Sequence, residues 1–254
     1  MTLIDTGDFY GSGHNELLIR QALRRRNRNK IVLSVKFGVQ RDPMANFLPE
    51  DLRPDSIKNF LAYTLRRLGT DHVDVYRPAR ISDGARVEDV VGTIAEMVKA
   101  GFVRHIGLSE VNAQTLRRAA AVHPISDLQI EYSLLSRGIE AEILPTARKL
   151  GIGITAYGVL SRGLLSGHWD NQRSLSQYDF RKFSPRFQGD NLEHNLALVE
   201  ALRKVADRKG IEVSQAANLR GAVEGEGHRA ARRCAQSEAA GRGAPCGRDR
   251  AERR

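Results

Sequence analysis

The feature that most constrains the fold is a repeated alternation of short apolar segments with longer amphipathic ones, joined by short connections. The apolar segments predict strands, over residues 2–5, 31–36, 72–76, 103–108, 128–131 and 152–157. The 3.6-residue spacing of apolar residues between them predicts helices, over residues 16–26, 56–68, 87–100, 113–122 and 141–150. Repeated βα units of this kind predict a parallel sheet, which right-handed crossovers can curl into a barrel.

The number of units sets a limit on that barrel. A closed (β/α)8 TIM barrel needs eight strands, and the sequence offers six. A long polar stretch follows the sixth strand, and then apolar residues at helical spacing predict another helix over residues 191–209. We therefore expect an α/β fold in the form of an incomplete (β/α)8 TIM barrel.

Three polar side chains follow the first two predicted strands. Asp5 and Tyr10 lie within the run Asp-Thr-Gly-Asp-Phe-Tyr-Gly, and Lys36 ends the second strand. Because parallel strands end at one edge of a sheet, a carboxylate, a phenol and an ammonium should meet there. A cation against a phenol favours the phenolate and makes the phenol a usable general acid, and a carboxylate would hold that cation. The alternative is a surface tyrosine, a lysine with a buried stem and a turn-capping aspartate.

These residues, together with three later segments, resemble the aldo-keto reductase family. The family's first motif is Asp-Thr-Ala/Gly, then Tyr-Gly and a later Glu, found here as Asp5, Thr6, Gly7, Tyr10, Gly11 and Glu16. The other motifs follow in family order over residues 106–110, 129–133 and 155–163. The resemblance implies that Tyr10 donates a proton to an aldehyde or ketone while NADPH supplies hydride, and that Lys36 and Asp5 tune Tyr10.

The resemblance also implies a set of cofactor contacts. Ser109 and Gln129 match residues that bind the nicotinamide carboxamide, and Tyr157 matches the aromatic residue that stacks on the nicotinamide ring. Leu160 and Arg162 match the loop along the pyrophosphate, where a guanidinium suits a phosphate. As polar residues at strand ends, Ser109 and Gln129 could equally cap helices, and Tyr157 could be a core tyrosine.

Two positions depart from the family pattern. Ala79 stands where the family usually has a catalytic histidine, and Glu110 stands where many members have asparagine. In the family a strand and a helix precede the first motif, so the resemblance implies that the first barrel strand is missing here. We expect the last strand to be missing as well, so that residues 1–217 form a partial barrel.

Residues 218–254 differ in character from the rest of the chain. They contain no Ile, Phe, Tyr, Trp, Met or Lys, and Arg, Ala and Gly dominate. We expect this segment to be disordered, because so few large apolar side chains cannot offset the entropy of ordering it. Our hypothesis for its origin is GC-rich coding DNA read in a shifted frame.

Composition excludes several classes of protein. The chain has 254 residues, of which 41% are hydrophobic, which suits a packed core. No apolar run reaches the ~18 residues of a membrane span, and no charged and apolar leader is visible, so we predict a cytoplasmic protein. The net charge of +10 comes without nucleic-acid-binding motifs, and no metal-ligand spacing occurs. We expect no specific nucleic acid, membrane or metal partner, and the oligomeric state is not predicted.

Two functions remain at this stage. The first is NADPH-dependent reduction of a small-molecule carbonyl substrate, and the second is a catalytically inactive truncated fragment without a selected binding function. Asp5, Tyr10 and Lys36 carry the first hypothesis, and the two missing strands carry the second. The resemblance implies that Ala79 marks a subgroup of the family and not a loss of activity.

Overall fold

The computed structural model describes residues 2–82, 84–169, 175–176, 179–223 and 228–230. The strands, in chain order, are β1 Leu3–Gly7, β2 Val32–Phe37, β3 Val39–Arg41, β4 Phe47–Glu50, β5 Val73–Pro78, β6 Val103–Ser109, β7 Ile125–Glu131, β8 Gly153–Tyr157 and β9 His228–Ala230. All except β3 and β4 belong to one parallel sheet in the order β1-β2-β5-β6-β7-β8-β9. The remaining two form an antiparallel hairpin after β2.

Helices separate the strands of the parallel sheet. They are α1 His14–Leu23, α2 Pro54–Leu68, α3 Val87–Lys99, α4 Ala113–Val122, α5 Ile143–Lys149, α6 Gly189–Arg208 and α7 Val213–Val223. Along β2 the residues alternate, so that Leu33, Val35 and Phe37 join the main apolar core while Ser34 and Lys36 point to the other side of the strand. The apolar set packs with buried helix residues such as Ile57 and Leu61.

The sheet is strongly curled. The Gln129 amide nitrogen on β7 lies 3.1 Å from a carboxylate oxygen of Asp5 on β1, although four strand steps separate the two strands. In a flat sheet those strands would lie roughly 19 Å apart. The six strands β1 to β8 of the sheet therefore form a curled half-barrel, and the polar side chains of its concave side face one another.

The six predicted strands are confirmed, with ends that shift by up to three residues, and the predicted helices are found as well. The β3–β4 hairpin was not predicted; its strands are short, and it turns at Asp42, which accepts hydrogen bonds from the main-chain and side-chain nitrogens of Asn46. The prediction also missed β9, a three-residue strand beside β8.

The domain boundary predicted at residue 217 stays a prediction. Helix α7 continues across it to Val223, which is consistent with the good helix propensity of alanine and leucine in that stretch. Most of the segment expected to be disordered, residues 224–227 and 231–254, lies outside the described residues. Among the helices that the structure describes, none has the length and apolar character needed to cross a bilayer.

Candidate active site

The carboxyl ends of β1 and β2 bring three of the predicted site residues together. Lys36 Nζ lies 2.5 Å from Asp5 Oδ2 and 5.3 Å from the centre of the Tyr10 ring. The Lys36 side chain is buried, with 7% of it exposed. Burial acts to raise the pKa of Asp5, but the charges of Lys36 and Arg77 and hydrogen bonds from Lys36 and Ser34 hold this pKa below its usual value. Asp5 is therefore a carboxylate that keeps the Lys36 ammonium in place.

A tight turn after β1 positions Tyr10. The main-chain nitrogen of Asp8 donates to the Lys36 carbonyl, which extends the β1–β2 ladder past the end of β1. The chain then enters a 3₁₀ turn, Tyr10–Gly13, in which Gly11 has φ 57° and Ser12 φ 51°. Such left-handed backbone favours glycine, which explains the Tyr-Gly pair. Phe9 meets the Tyr10 ring edge-on at 4.9 Å between centroids and supports it from one side.

Tyr157 lies at the end of β8 and is held by a neighbouring carboxylate. Its ring is half-buried, and its hydroxyl donates to Glu110 at the end of β6. Burial, followed by the hydrogen bond and charge of Glu110, raises the pKa of Tyr157 to about 12. Glu110 also accepts a hydrogen bond from the main-chain nitrogen of Glu131 at 2.9 Å, so its carboxylate is fixed on two sides. The Tyr157 hydroxyl therefore stays protonated at neutral pH, and its ring orientation is set.

Ser109 and Gln129 are neighbours in the β6–β7 ladder and both are buried. The Ser109 hydroxyl lies 3.5 Å from a guanidinium nitrogen of Arg80. Gln129 uses its amide nitrogen on Asp5, so that one predicted cofactor residue contacts the predicted catalytic carboxylate directly. Its amide oxygen can still accept a hydrogen bond.

Leu160 and Arg162 follow β8 in a 3₁₀ segment. Leu160 packs on a second apolar cluster formed mainly by α6 and α7, and Arg162 has φ 61°. The Arg162 guanidinium lies 5.9 Å from the centre of the Tyr157 ring and 3.7 Å from the Glu131 carboxylate. Glu131 also pairs with Arg186 at 2.8 Å. The guanidinium of Arg162 therefore stands beside the Tyr157 ring without being the sole counterion of Glu131.

Comparison with known proteins decides the family. The profile of the aldo/keto reductase family matches residues 1–219. The chain belongs to the aldo/keto reductase family. The glycerol dehydrogenase of Gluconobacter oxydans is similar to it with a TM-score of 0.81 and 30% identity, over 85% of this chain and 67% of that chain.

Other solved family members are similar at lower scores. A thermostable aldo-keto reductase in complex with the inhibitor epalrestat has a TM-score of 0.63 and 27% identity, over 84% of this chain and 64% of that chain. An aldo-keto reductase from Klebsiella pneumoniae in complex with NADPH has a TM-score of 0.61 and 25% identity, over 85% of this chain and 63% of that chain. The chain thus spans about two thirds of the length of these family members.

The slot of the family's usual histidine is a small buried position in this chain. Ala79 is 3% exposed, and its main-chain nitrogen donates to the Phe37 carbonyl at 2.8 Å. Its methyl group offers neither a donor nor an acceptor. The next residue, Arg80, directs its guanidinium to the Ala79 carbonyl and toward Ser109.

Sequence reasoning assigned no role to four polar residues that the structure places in the same concave face. Arg77 on β5, Asp127 on β7 and Ser34 on β2 form a hydrogen-bonded group that reaches Asp5, and Glu131 joins two arginines. Arg77 carried a usable signal, because a charged residue inside a strand of a buried sheet needs a partner. The identity of that partner depends on the curl of the sheet.

Proposed function

We propose that this family member reduces an aldehyde or a ketone to an alcohol with NADPH as the hydride donor. The observation that carries the proposal is the buried Lys36 ammonium, 2.5 Å from Asp5 and 5.3 Å from the centre of the Tyr10 ring. A phenol needs a nearby cation to act as an acid at neutral pH, and a buried ammonium needs a counterion to stay charged. Asp5, Lys36 and Tyr10 satisfy both requirements.

The donor set at the strand ends fits a nicotinamide nucleotide. Tyr157 offers a fixed aromatic face, Ser109 and Gln129 offer a hydroxyl and an amide for a carboxamide, and Arg162 offers a guanidinium for a phosphate. If Arg162 turns toward a phosphate, the Glu131 carboxylate is still paired with Arg186. Leu160 would line the same loop. Bound NADPH supplies a hydride to the carbonyl carbon of the substrate.

The chain's own residues supply the proton. Tyr10 donates its hydroxyl hydrogen to the carbonyl oxygen as negative charge develops there, and the Lys36 ammonium stabilises the phenolate that remains. The ion pair with Asp5 fixes the position of the Lys36 ammonium. Gln129 and Ser34 donate hydrogen bonds of 3.1 and 2.8 Å to Asp5. Because Ala79 offers no side-chain donor, the Tyr10 hydroxyl carries the whole proton-donating role in this proposal.

The test compares two tyrosine variants of the full chain. NADPH oxidation is followed at 340 nm with a panel of aromatic and aliphatic aldehydes and ketones. We expect Tyr10→Phe to lower kcat at least ~100-fold, because no other group would donate the proton. Tyr63→Phe, at an exposed position on α2, is the matched control and should keep wild-type kcat.

Two outcomes would speak against the proposal. Turnover by Tyr10→Phe within about threefold of wild type would remove Tyr10 from the mechanism. No turnover by the folded wild-type chain with any carbonyl, combined with no binding of NADPH, would favour the inactive fragment.

A further inference from the structure

Arg77 is a charged residue whose guanidinium is buried inside the half-barrel. The residue is 1% exposed and lies on β5, in register with Lys36 on β2. Its Nη2 donates to Ser34 Oγ at 2.8 Å and forms an ion pair with Asp127 Oδ2 at 3.0 Å. Within the described residues its other nitrogens, Nε and Nη1, have no hydrogen-bond partner. Burying a cation costs folding free energy unless it is paired with an opposite charge and hydrogen-bonded.

The backbone makes room for this ion pair at one position. Arg77 reaches Asp127 across β6, and the β6 residue between them is Gly107, the register partner of Asp127. A Cβ atom on Gly107 would lie 2.6 Å from Asp127 Oδ1 and 3.2 Å from Arg77 Nε. Any side chain there would force the two charged groups apart. The pairing therefore depends on glycine at this place in the strand.

The pair is connected to the proposed catalytic residues through Ser34. The Ser34 hydroxyl accepts from Arg77 and donates to Asp5 Oδ1 at 2.8 Å. Because the guanidinium can only donate, it orients the serine hydrogen toward Asp5. The other oxygen of Asp5 binds Lys36, which faces Tyr10. Asp127 is held in turn by Thr155 Oγ1 at 2.5 Å.

We propose that Arg77 and its counterion Asp127 are positioning residues for the Asp5–Lys36–Tyr10 site, acting through Ser34. This inference rests on the proposed function. Arg77 adds a second fixed positive charge behind Asp5. The negative charge of Asp127 partly offsets the effect of that positive charge on the site. Among the described residues, the charged and hydrogen-bonding groups joined in this network are Asp5 and Lys36, with Ser34, Arg77, Asp127, Gln129 and Thr155 behind them. The pair sets the pH at which the reaction loses its proton donor.

The test compares two substitutions that change the charge of the pair in opposite directions. The readout is the midpoint of the alkaline limb of kcat, where the site loses its proton donor. Arg77→Met removes a positive charge, makes the phenolate less favourable and should move the midpoint of the alkaline limb of kcat up by about one pH unit. Asp127→Asn removes a negative charge and should move that midpoint down by about as much. The double variant should lie close to wild type.

Arg77→Lys is the control that separates charge from packing. It keeps the cation and should leave the midpoint within about 0.3 pH unit of wild type, even where kcat or the melting temperature falls. If Arg77→Met does not fold, the midpoints of Arg77→Lys and Asp127→Asn are still compared with that of wild type. A midpoint that stays constant in every folded charge variant, or that moves in the same direction in all of them, would overturn the proposal.

A second readout works without turnover. The ionisation of tyrosine is titrated at 295 nm in each variant and in the same variant carrying Tyr10→Phe, and the difference isolates the Tyr10 transition. We expect the same opposite shifts there. A wild-type chain that reduces no carbonyl yet shows these shifts would contradict the proposed function and support the positioning role, and absent shifts would contradict the positioning role itself.

Discussion

At the scale of single residues, the site depends on buried side chains that are paired with opposite charges. Lys36 is buried and its carboxylate partner, Asp5, is itself bound by Ser34 and Gln129. Each of these side chains is held in place by a hydrogen bond or an ion pair with a neighbouring one. Replacing a member therefore changes the charge seen by Tyr10 as well as the local packing.

Lys36→Met should lower kcat about 100-fold or more at pH 7, because it removes the cation that favours the phenolate and leaves the negative charge of Asp5 without its ion-pair partner. The alkaline limb of kcat should also move to higher pH. Lys30→Met, at an exposed position before β2, is the control with the same loss of one ammonium. A kcat of Lys36→Met within about threefold of wild type, measured by NADPH oxidation, would contradict the role of this residue.

Arg162→Met should weaken NADPH binding by at least about tenfold, since a charge-assisted hydrogen bond to phosphate contributes ~1.5 to 3 kcal/mol. Quenching of the single tryptophan or fluorescence of NADPH itself gives the dissociation constant. Arg24→Met, exposed at the end of α1, controls for the loss of net charge. Equal affinity of Arg162→Met and wild type would exclude Arg162 from the cofactor site.

At the scale of elements, the turn after β1 and the helices α1 and α2 share a buried acidic group. Glu16 on α1 is fully buried and pairs with Arg67 on α2. Arg67 reaches it by passing Gly13, where a Cβ would lie 2.8 Å from the arginine side chain. Burial, followed by the charge of Glu16, raises the pKa of Asp8 in this turn to about 7, against the opposing effects of the Arg67 charge and of the nearby backbone of Phe9 and Gly38. Asp8 is thus expected to hold a proton in the folded chain at mildly acidic pH.

The sign of the pH effect follows from the raised pKa of Asp8. Between about pH 4 and pH 7 the folded chain holds a proton on Asp8 that the unfolded chain has lost, so this residue lowers the unfolding free energy as the pH rises. A pKa rise from 3.8 to about 7 corresponds to about 4 kcal/mol, as an order of magnitude. Asp8→Asn should therefore be more stable than wild type at pH 8.

Urea unfolding at several pH values between 4 and 8 measures this difference. The gap between Asp8→Asn and wild type should widen as the pH rises, while Asp207→Asn, exposed near the end of α6, should follow wild type. A gap that is constant over this range would show that Asp8 titrates alike in the folded and unfolded chain.

At the scale of the whole molecule, the parallel sheet has two edges within the described residues. Strand β1 pairs with β2 alone and β9 with β8 alone. In β1 the Thr2 carbonyl and the Asp8 nitrogen bond toward β2, so by the alternation of a parallel ladder the Leu3 nitrogen points away from it. An edge of this kind is a template for another strand.

We expect the chain to self-associate through β1, with a mass in sedimentation velocity that rises with concentration. Leu3→Pro removes the outward-facing nitrogen while leaving the bonds to β2, and should reduce the association. Leu3→Ala removes the side chain and keeps the nitrogen, so it should associate more than Leu3→Pro. A monomer at all concentrations with a cooperative melt above about 50 °C, the usual range for stable mesophile domains, would contradict this expectation.

The sequence by itself determined the alternation of strands and helices, the family and the grouping of Asp5, Tyr10 and Lys36. The alternation and the grouping follow from local information, since periodicity is read over a few residues and parallel strands end at the same edge. The family follows from four motifs that resemble those of its members. Six strands were predicted within three residues of their observed ends, but β3, β4 and β9 are too short to leave a periodic signal.

Only the tertiary structure decided which polar residues meet across the half-barrel. Gln129 contacts Asp5, Arg77 passes Gly107 to reach Asp127, and Arg186 joins Glu131 from a loop 55 residues away in sequence. Each contact joins strands or loops that are distant along the chain, so it depends on the direction and extent of the curl. The curl results from the summed twist of all the strands and from helix packing, and no local window of sequence contains it.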